Sequence, residues 1–198
     1  MNTKNERQLI ELAKNGNADA FCALYDAYRQ RLYRYAFYRL GNGPDAEDAV
    51  SECVLSAWRQ IGSLREPDAF TAWIFRILSG CCGRLIQQQI QRRQQASLDG
   101  PATGPDAEDA GSPGTDTGSR SAEAEAAQAL TADEADPDTW LTLQTALNEL
   151  SDTERNIVLF SAVGGLKSHE IAELTGMTAG SVRSSLSRSL KKLRGYLS

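Results

Sequence analysis

The feature of this chain that most restricts its fold is the pattern of residues 168–197, which predicts two helices joined by a tight turn. Ala172 is small enough to let two helices cross closely, and Gly176 can adopt a positive φ at the turn without a steric penalty. Val182 then falls where a side chain fills the angle between the helices. The sequence therefore predicts a helix-turn-helix in the last third of the chain.

The second helix of this motif has an apolar face and a basic, hydroxyl-rich face. The apolar face consists of Val182, Leu186, Leu190, Leu193 and Leu197, which recur at helical spacing and predict a buried stripe. The candidate DNA contacts on the other face are Thr178, Ser181, Arg183, Ser184, Ser187, Arg188 and Lys191. Arg reads guanine edges in the major groove, and Ser or Lys holds phosphates. A solvated charged face is the alternative, but the short helix before it favours DNA contact.

The net charge of −5 is spread unevenly over the 198 residues. Residues 1–95 have 13 basic and 10 acidic side chains, residues 96–138 have one and 11, and residues 139–198 have seven and five. The middle segment has almost no large apolar side chain, so it cannot bury enough surface to offset the entropy of ordering it. We predict a helical domain over residues 1–95, an acidic disordered linker over 96–137 and a helix-turn-helix domain over 138–198.

The sequence before the linker predicts four helices and no strand. They cover about residues 6–15, 19–40, 44–61 and 67–95. Pro44 suits the first turn of the third helix, and the carboxylates just after it complement the helix dipole. Gly80 and Gly83 weaken the fourth helix and favour a kink there.

The sequence after the linker predicts four more helices. The first covers residues 140–150, and Ser151 with Glu154 predicts a capping box at the start of the next. That second helix ends at Gly164 and Gly165. The predicted fold is therefore all-α, with two small helical domains joined by a long flexible linker.

Cysteine and histidine content exclude several chemistries. The four cysteines predict buried, reduced thiols, with Cys22 and Cys53 as small core residues; for Cys81 and Cys82, which are adjacent in the chain, a redox-active pair is the alternative. Without a CxxC pair and with a single histidine, His169, neither a metal site nor another cofactor is expected. The sequence has no set of nucleophile, base and orienting residue, so an enzyme is not expected. We also find no signal peptide and no apolar run near 18 residues, which predicts a soluble, cytoplasmic protein without membrane insertion.

Both halves of the chain resemble the extracytoplasmic-function (ECF) sigma factors, the small two-domain members of the bacterial primary-sigma superfamily. Three blocks resemble region 2 of that family: residues 20–36, residues 45–59 and residues 70–77. The residues that follow the region 4 pattern are Leu150, Arg155, Gly165, Leu166, Glu170, Ile171, Ala172, Gly176, Ser181, Val182, Arg183, Ser184 and Arg188. Both regions occur in the family's order, which is more specific than either motif alone.

The resemblance implies a function and a set of partners. Region 2 would bind the clamp helices of RNA polymerase core and open the −10 promoter element, and region 4 would bind the −35 element and the polymerase flap. It also implies an anti-sigma protein as a partner. The candidate core-binding residues are Asp45, Glu47, Asp48 and Glu52, whose charge also suits a helix N-terminus. The candidate −10 contacts are Arg76, Arg84, Arg92 and Arg93, as cations for phosphates.

Four positions depart from the family pattern. Gly80 and Arg84 stand where Asn and then Asp are usual, and Ser51 and Val54 stand where Gln and Phe are usual. These changes leave open a regulator that binds polymerase without melting DNA. The other alternative is a helix-turn-helix transcription regulator that acts without polymerase, which predicts tight binding of a palindrome by the isolated protein.

Overall fold

The structure is a computed structural model that describes residues 3–98 and 144–197. The first segment contains four α-helices: α1 (Thr3–Lys14), α2 (Ala18–Leu40), α3 (Gly43–Gln60) and α4 (Phe70–Leu98). Two short 3₁₀ turns, Ile61–Ser63 and Pro67–Ala69, connect α3 to α4. The four predicted helices are thus confirmed, and α4 reaches three residues into the range predicted as linker.

The second segment is also helical. Residues 144–148 form α5, and α6 (Asp152–Ala162), α7 (Ser168–Thr175) and α8 (Ala179–Leu197) follow. The secondary structure of both described segments is helical throughout, which confirms the all-α prediction. Most of the predicted linker and the start of the predicted 140–150 helix lie outside the described residues.

Local sequence signals explain where several helices begin and end. The Asn17 side chain accepts a hydrogen bond from the backbone N–H of Ala20 at 2.9 Å and caps α2. Gly41 ends α2 with a φ of 82°, a conformation that favours glycine. At α6 the predicted capping box is present, since Ser151 and Glu154 each bond the other's backbone N–H.

The core of the first segment is centred on aromatic side chains of α2 and α4. Tyr35 and Phe75 are fully buried and meet edge to face with ring centroids 5.5 Å apart. Small residues of α3, among them Ala49, Cys53 and Ala57, pack behind them without exposure. Cys81 and Cys82 are buried as predicted, and burial raises the pKa of the Cys82 thiol to about 12. Cys22, by contrast, is exposed, so its prediction as a core residue was wrong.

Helix α4 corrects two further expectations. It is continuous through Gly80 and Gly83, because its packing against α2 and α3 outweighs their weak helix propensity. By length and composition the span Pro67–Gln95 could cross a membrane, so the statement that no such apolar run occurs was wrong. Its largest apolar side chains, including Phe70, Ile74 and Leu78, are buried in the bundle, which makes α4 the core helix of this segment.

The buried stripe of α8 differs from the predicted one. Val182 and Leu193 are buried and Leu186 is half-buried, but Leu190 is 45% exposed. Ser185 and Ser189 are buried instead. The buried face of α8 therefore runs through Val182, Ser185, Ser189 and Leu193, and Leu190 lies outside it.

The Ser189 hydroxyl yields a stability prediction. Its Oγ is buried and makes no hydrogen bond to any described residue. Burying an unpaired hydroxyl costs about 1–3 kcal/mol. Ser189→Ala should therefore raise the free energy of unfolding by about 1–2 kcal/mol in urea titration.

Ser187→Ala is the matched control, because Ser187 is exposed on the same helix. It gains only helix propensity, a few tenths of a kcal/mol. Equal effects of the two substitutions would show that the buried hydroxyl has no cost.

Candidate nucleic-acid and protein interfaces

Helices α7 and α8 form the predicted helix-turn-helix. The turn passes through Gly176, whose φ is 69°, and the N–H of Met177 donates to the carbonyl of Ala172 at 3.2 Å. Ile171 of α7 and Val182 of α8 are fully buried where the two helices meet. The packing therefore fixes the angle at which α8 leaves the module.

The outer face of α8 gathers five of the predicted DNA contacts. The exposed side chains are Arg183, Ser184, Ser187, Arg188 and Lys191, which recur every three or four residues and so share one side of the helix. Two of them are linked along this side, since Arg188 Nε donates to the backbone carbonyl of Ser184 at 3.4 Å. This surface is long, polar and cationic, which suits a helix that enters a major groove.

Thr178 and Ser181 lie at the start of α8. Thr178 Oγ1 accepts from the N–H of Ser181 at 3.1 Å, and the two hydroxyls are 2.9 Å apart. Thr178 therefore acts as the N-cap of α8 and keeps its hydroxyl at the positive end of the helix dipole. A phosphate oxygen is the kind of acceptor that this end favours.

Glu154 ties α8 to α6. Its carboxylate accepts from the backbone N–H of Ser151 at 3.2 Å and from Lys192 Nζ at 3.2 Å. These bonds, with the backbone N–H first, lower the pKa of Glu154 below its usual range. The ion pair of Lys192 with Glu154 therefore links α8 to α6.

The four predicted core-binding carboxylates of α3 have different surroundings. Asp45 Oδ2 accepts from the side-chain amides of Asn42, at 2.7 Å, and Gln89. Glu52 pairs with Arg84 at 2.6 Å. Glu47 and Asp48 are exposed and form no ion pair with another described residue.

Sequence reasoning missed two apolar residues on the surface of α3. Leu55 is 57% exposed and Trp58 is 37% exposed. The ring centroids of Trp58 and Phe21 are 5.1 Å apart. The core positions of α3 follow the spacing of Ala46, Ala49, Val50, Cys53 and Ala57. Neither Leu55 nor Trp58 fits that spacing, which is the signal that could have placed them on the surface beside Asp48 and Glu52.

The predicted −10 cations of α4 do not form one cluster. Arg76, Arg84, Arg92 and Arg93 are all exposed. The rise of an α-helix places Arg92 about 24 Å from Arg76 along the axis. Arg84 is held by Glu52, although an exposed pair of this kind contributes only about 0–1 kcal/mol and exchanges partners easily. Phe75 is fully buried, so it offers no stacking surface for a base here.

Fold and surfaces together define a helical protein of two modules, one of which carries a helix-turn-helix with an exposed cationic second helix. Residues 24–93 match the family Sigma-70 region 2, and residues 140–193 match Sigma-70, region 4. The two matches cover most of both described segments, with region 2 before region 4.

Three proteins of similar sequence are ECF RNA polymerase sigma factors. The ECF RNA polymerase sigma factor SigW of Bacillus subtilis is 26% identical, and the match covers 96% of each chain. SigM of Mycobacterium tuberculosis is 28% identical over 98% of this chain and 87% of that protein. BldN of Streptomyces coelicolor is 45% identical over 71 residues, and there the match spans only 35% of this chain and 27% of BldN.

Two solved structures share the fold. One is CnrH in complex with the cytosolic domain of CnrY, with a TM-score of 0.62, 20% identity and coverage of 98% and 97% of the two chains. The other is the sigma factor RpoE in complex with the anti-sigma factor NepR from Bartonella quintana, with a TM-score of 0.61, 19% identity and coverage of 89% and 96%. The chain belongs to the ECF group of the sigma-70 family of RNA polymerase sigma factors.

Gly176 gives a prediction for the helix-turn-helix. A Cβ at this residue would meet no atom within 4 Å, so the cost of Gly176→Ala is the backbone conformation alone. A left-handed conformation costs an alanine about 1–2 kcal/mol. Gly176→Ala should lower the free energy of unfolding by that amount in urea titration.

Gly176→Asn is the matched control, because asparagine tolerates the left-handed region better than alanine. It should cost clearly less than Gly176→Ala. If asparagine cost as much as alanine, the turn would not depend on a positive φ.

Proposed function

We propose that this protein is the promoter-specificity subunit of a bacterial RNA polymerase, which docks on core polymerase and directs transcription initiation. The observation that supports it most is the joint presence of both sigma-70 regions with the cationic outer face of α8 exposed. The first module, residues 1–95, binds the clamp helices of core polymerase and the −10 element. The second, residues 138–198, binds the −35 element and the flap, and residues 96–137 are the linker between them.

The −35 contact is made by α8. Arg183 and Arg188 are the residues with side chains suited to bidentate contact with guanine, and Ser184, Ser187 and Lys191 support them as phosphate or base contacts. Thr178 and Ser181 hold a phosphate at the start of the helix. All of these side chains are exposed. Within the protein, the hydroxyls of Thr178 and Ser181 bond each other, and Arg188 donates to the backbone carbonyl of Ser184.

Opening of the −10 element needs no catalytic residue. The cost of unstacking a base is offset by binding the separated strand, and exposed cations of α4 can hold its phosphates. The protein is thus a binding subunit rather than an enzyme. Gly80 and Arg84 depart from the family pattern, and Arg84 is paired with Glu52. Arg76, Arg92 and Arg93 are therefore the phosphate contacts to test first.

The partners follow from the two surfaces and from the relatives. The acidic and apolar face of α3, with Glu47, Asp48, Leu55 and Trp58, is complementary to a basic partner with an apolar patch, as the clamp helices would be. An anti-sigma protein is a further partner, because both similar structures are complexes of a sigma factor, CnrH or RpoE, with CnrY or NepR. The site of action is the cytoplasm, where polymerase and DNA are found.

Arg183 tests the −35 contact. Arg183→Ala should lower transcription from a cognate promoter in a purified system with core polymerase by about 5–150-fold, the effect of losing about 1–3 kcal/mol. Arg183→Lys keeps the charge but not the planar fork, so it should retain binding and lose base preference at one position. Unchanged −35 protection in Arg183→Ala would remove this residue from the contact.

The same assay separates the proposal from its rival. A regulator that acts without polymerase would protect a palindromic site tightly on its own. The sigma proposal expects weak protection by the protein alone and promoter-dependent transcripts only after core polymerase is added.

The α3 carboxylates test core binding. The double substitution Glu47→Gln with Asp48→Asn should weaken binding to purified core polymerase severalfold and reduce its dependence on salt, because two exposed charges are lost. Asp45→Asn is the contrast, since Asp45 is engaged by Asn42 and Gln89. Weaker core binding in Asp45→Asn alone would contradict this assignment of roles.

A further inference from the structure

An exposed ion pair joins α3 to α4. Arg84 Nη2 donates to Glu52 Oε1 at 2.6 Å and to Cys81 Sγ at 3.3 Å, so one nitrogen atom contacts both helices. The exposed fractions of the two charged side chains are 56% for Arg84 and 48% for Glu52. Both partners are therefore accessible to molecules outside the protein while they are paired with each other.

This ion pair differs from the other polar bridge between the two helices. Near the start of α3, Asp45 accepts from Gln89 of α4 and from Asn42, and both of these partners are neutral amides. About two helical turns later, Glu52 pairs with the charged Arg84. Among the four candidate core-binding carboxylates, Glu52 is the one that holds a candidate −10 cation in the part of the chain that the structure describes.

Glu52 belongs to the acidic and apolar face of α3. Asp48 precedes it by four residues and Leu55 follows it by three, and residues at these intervals lie on one side of a helix. Asp48 and Leu55 are both exposed. A basic partner that covers this face would therefore meet Glu52 as well as Asp48.

Arg84 belongs to an open side of α4. Gly80 precedes it by four residues and Arg76 precedes Gly80 by four, so the three residues share one side of the helix. All three are exposed, and a Cβ at Gly80 would meet no atom within 4 Å. A nucleic-acid strand can therefore approach Arg84 from this side without meeting a bulky side chain at Gly80.

Cys81 orients Arg84 but does not neutralise it. Burial first, and then the charge of Glu52, raises the pKa of the Cys81 thiol, so the thiol is uncharged at neutral pH. Its sulfur is only a weak hydrogen-bond acceptor. Glu52 is thus the counter-charge of Arg84 in the described part of the chain, and its removal would leave a full positive charge at a defined place on α4.

The Glu52–Arg84 pair is weak enough to exchange partners. Water screens an exposed ion pair, and its strength limits any competition to a factor of up to about five. A phosphate competes with Glu52 for Arg84, and a cation of a partner protein competes with Arg84 for Glu52. Linkage makes the two competitions reciprocal, so a partner that takes Glu52 favours phosphate binding at Arg84 by the same factor as phosphate favours the partner.

We propose that Glu52 and Arg84 form a charge interlock between the core-binding face of α3 and the DNA-binding side of α4. In the free protein Glu52 occupies Arg84. When a basic group of core polymerase binds Glu52, Arg84 is released as a further phosphate contact for the −10 strand. The inference rests on the function proposed above. Arg84 stands where the ECF pattern has Asp, an acid that would repel Glu52, so the interlock depends on a departure of this chain from its family.

Binding of a labelled oligothymidylate to the full chain, without polymerase, tests the masking of Arg84. Glu52→Gln should bind this strand about three- to fivefold more tightly than wild type, because a cation becomes available. The slope of log K against log salt should become steeper by about 0.7, the value for one added phosphate contact on a single strand. Glu47→Gln is the matched control, since it removes an equal charge from α3 where no ion pair with a described residue exists, and it should change both quantities much less.

Combination with Arg84→Gln completes the test of masking. In the Arg84→Gln background, Glu52→Gln should have no more effect than Glu47→Gln, because the cation that it would release is gone. Glutamine has nearly the helix propensity of Glu and Arg, so these exposed substitutions should retain the fold, which circular dichroism checks. Equal gains from Glu52→Gln and Glu47→Gln, or an undiminished gain in the Arg84→Gln background, would overturn the interlock.

Binding to purified core polymerase tests the other half of the interlock. Arg84→Gln leaves Glu52 without its internal partner, so it should bind core polymerase about three- to fivefold more tightly than wild type. Arg29→Gln is the control for net charge, because Arg29 is an exposed cation of α2 without an ion pair to another described residue. Equal affinities of Arg84→Gln and Arg29→Gln would overturn the interlock. Failure of every protein to bind core polymerase would overturn the proposed function instead, and the oligothymidylate result would still decide whether Glu52 masks Arg84.

Discussion

Tyr35 links the cores of the two modules. On one side its ring meets Phe75 of α4, and on the other it stacks on Phe160 of α6, so one side chain with no exposed surface belongs to both cores. Helix α2 is consequently packed on several sides, by α1, α3 and α4 of its own module and by α6 of the other.

Because α2 is covered in this way, the functional faces lie on other helices. The acidic and apolar face of α3 points away from the core that α3 shares with α2, and the cationic face of α8 points away from α6 and α7. A basic protein surface and a DNA groove have opposite charge requirements, and the chain meets them on two different helices. Its net charge of −5 hides this division, because the acidity is concentrated in residues 96–138.

Local signals made much of the fold predictable. The capping box of Ser151 with Glu154 and the positive φ of Gly176 each act within a few residues, and both have the predicted role. The resemblance to ECF sigma factors is confirmed on both halves. Several errors concern burial: Cys22 and Leu190 are exposed while Ser189 is buried, because helical spacing identifies an apolar face but not how closely a neighbour approaches it.

The contact between α2 and α6 could not be predicted from local pattern at all. Arg31 and Arg39 look like solvated cations in the sequence, and their partners lie more than 100 residues away. Likewise, the four α3 carboxylates are equivalent by charge, and only the fold distinguishes the occupied Asp45 and Glu52 from Glu47 and Asp48. Which groups remain available for a partner is therefore a tertiary property.

We propose that the two modules act together with core polymerase to choose and open a start site. Permanganate reactivity of thymines in a promoter bound by the protein and core polymerase tests it most directly. The account predicts reactive thymines around the −10 element only when both components are present. Absence of reactivity with both, on a promoter where the −35 element is protected, would contradict it.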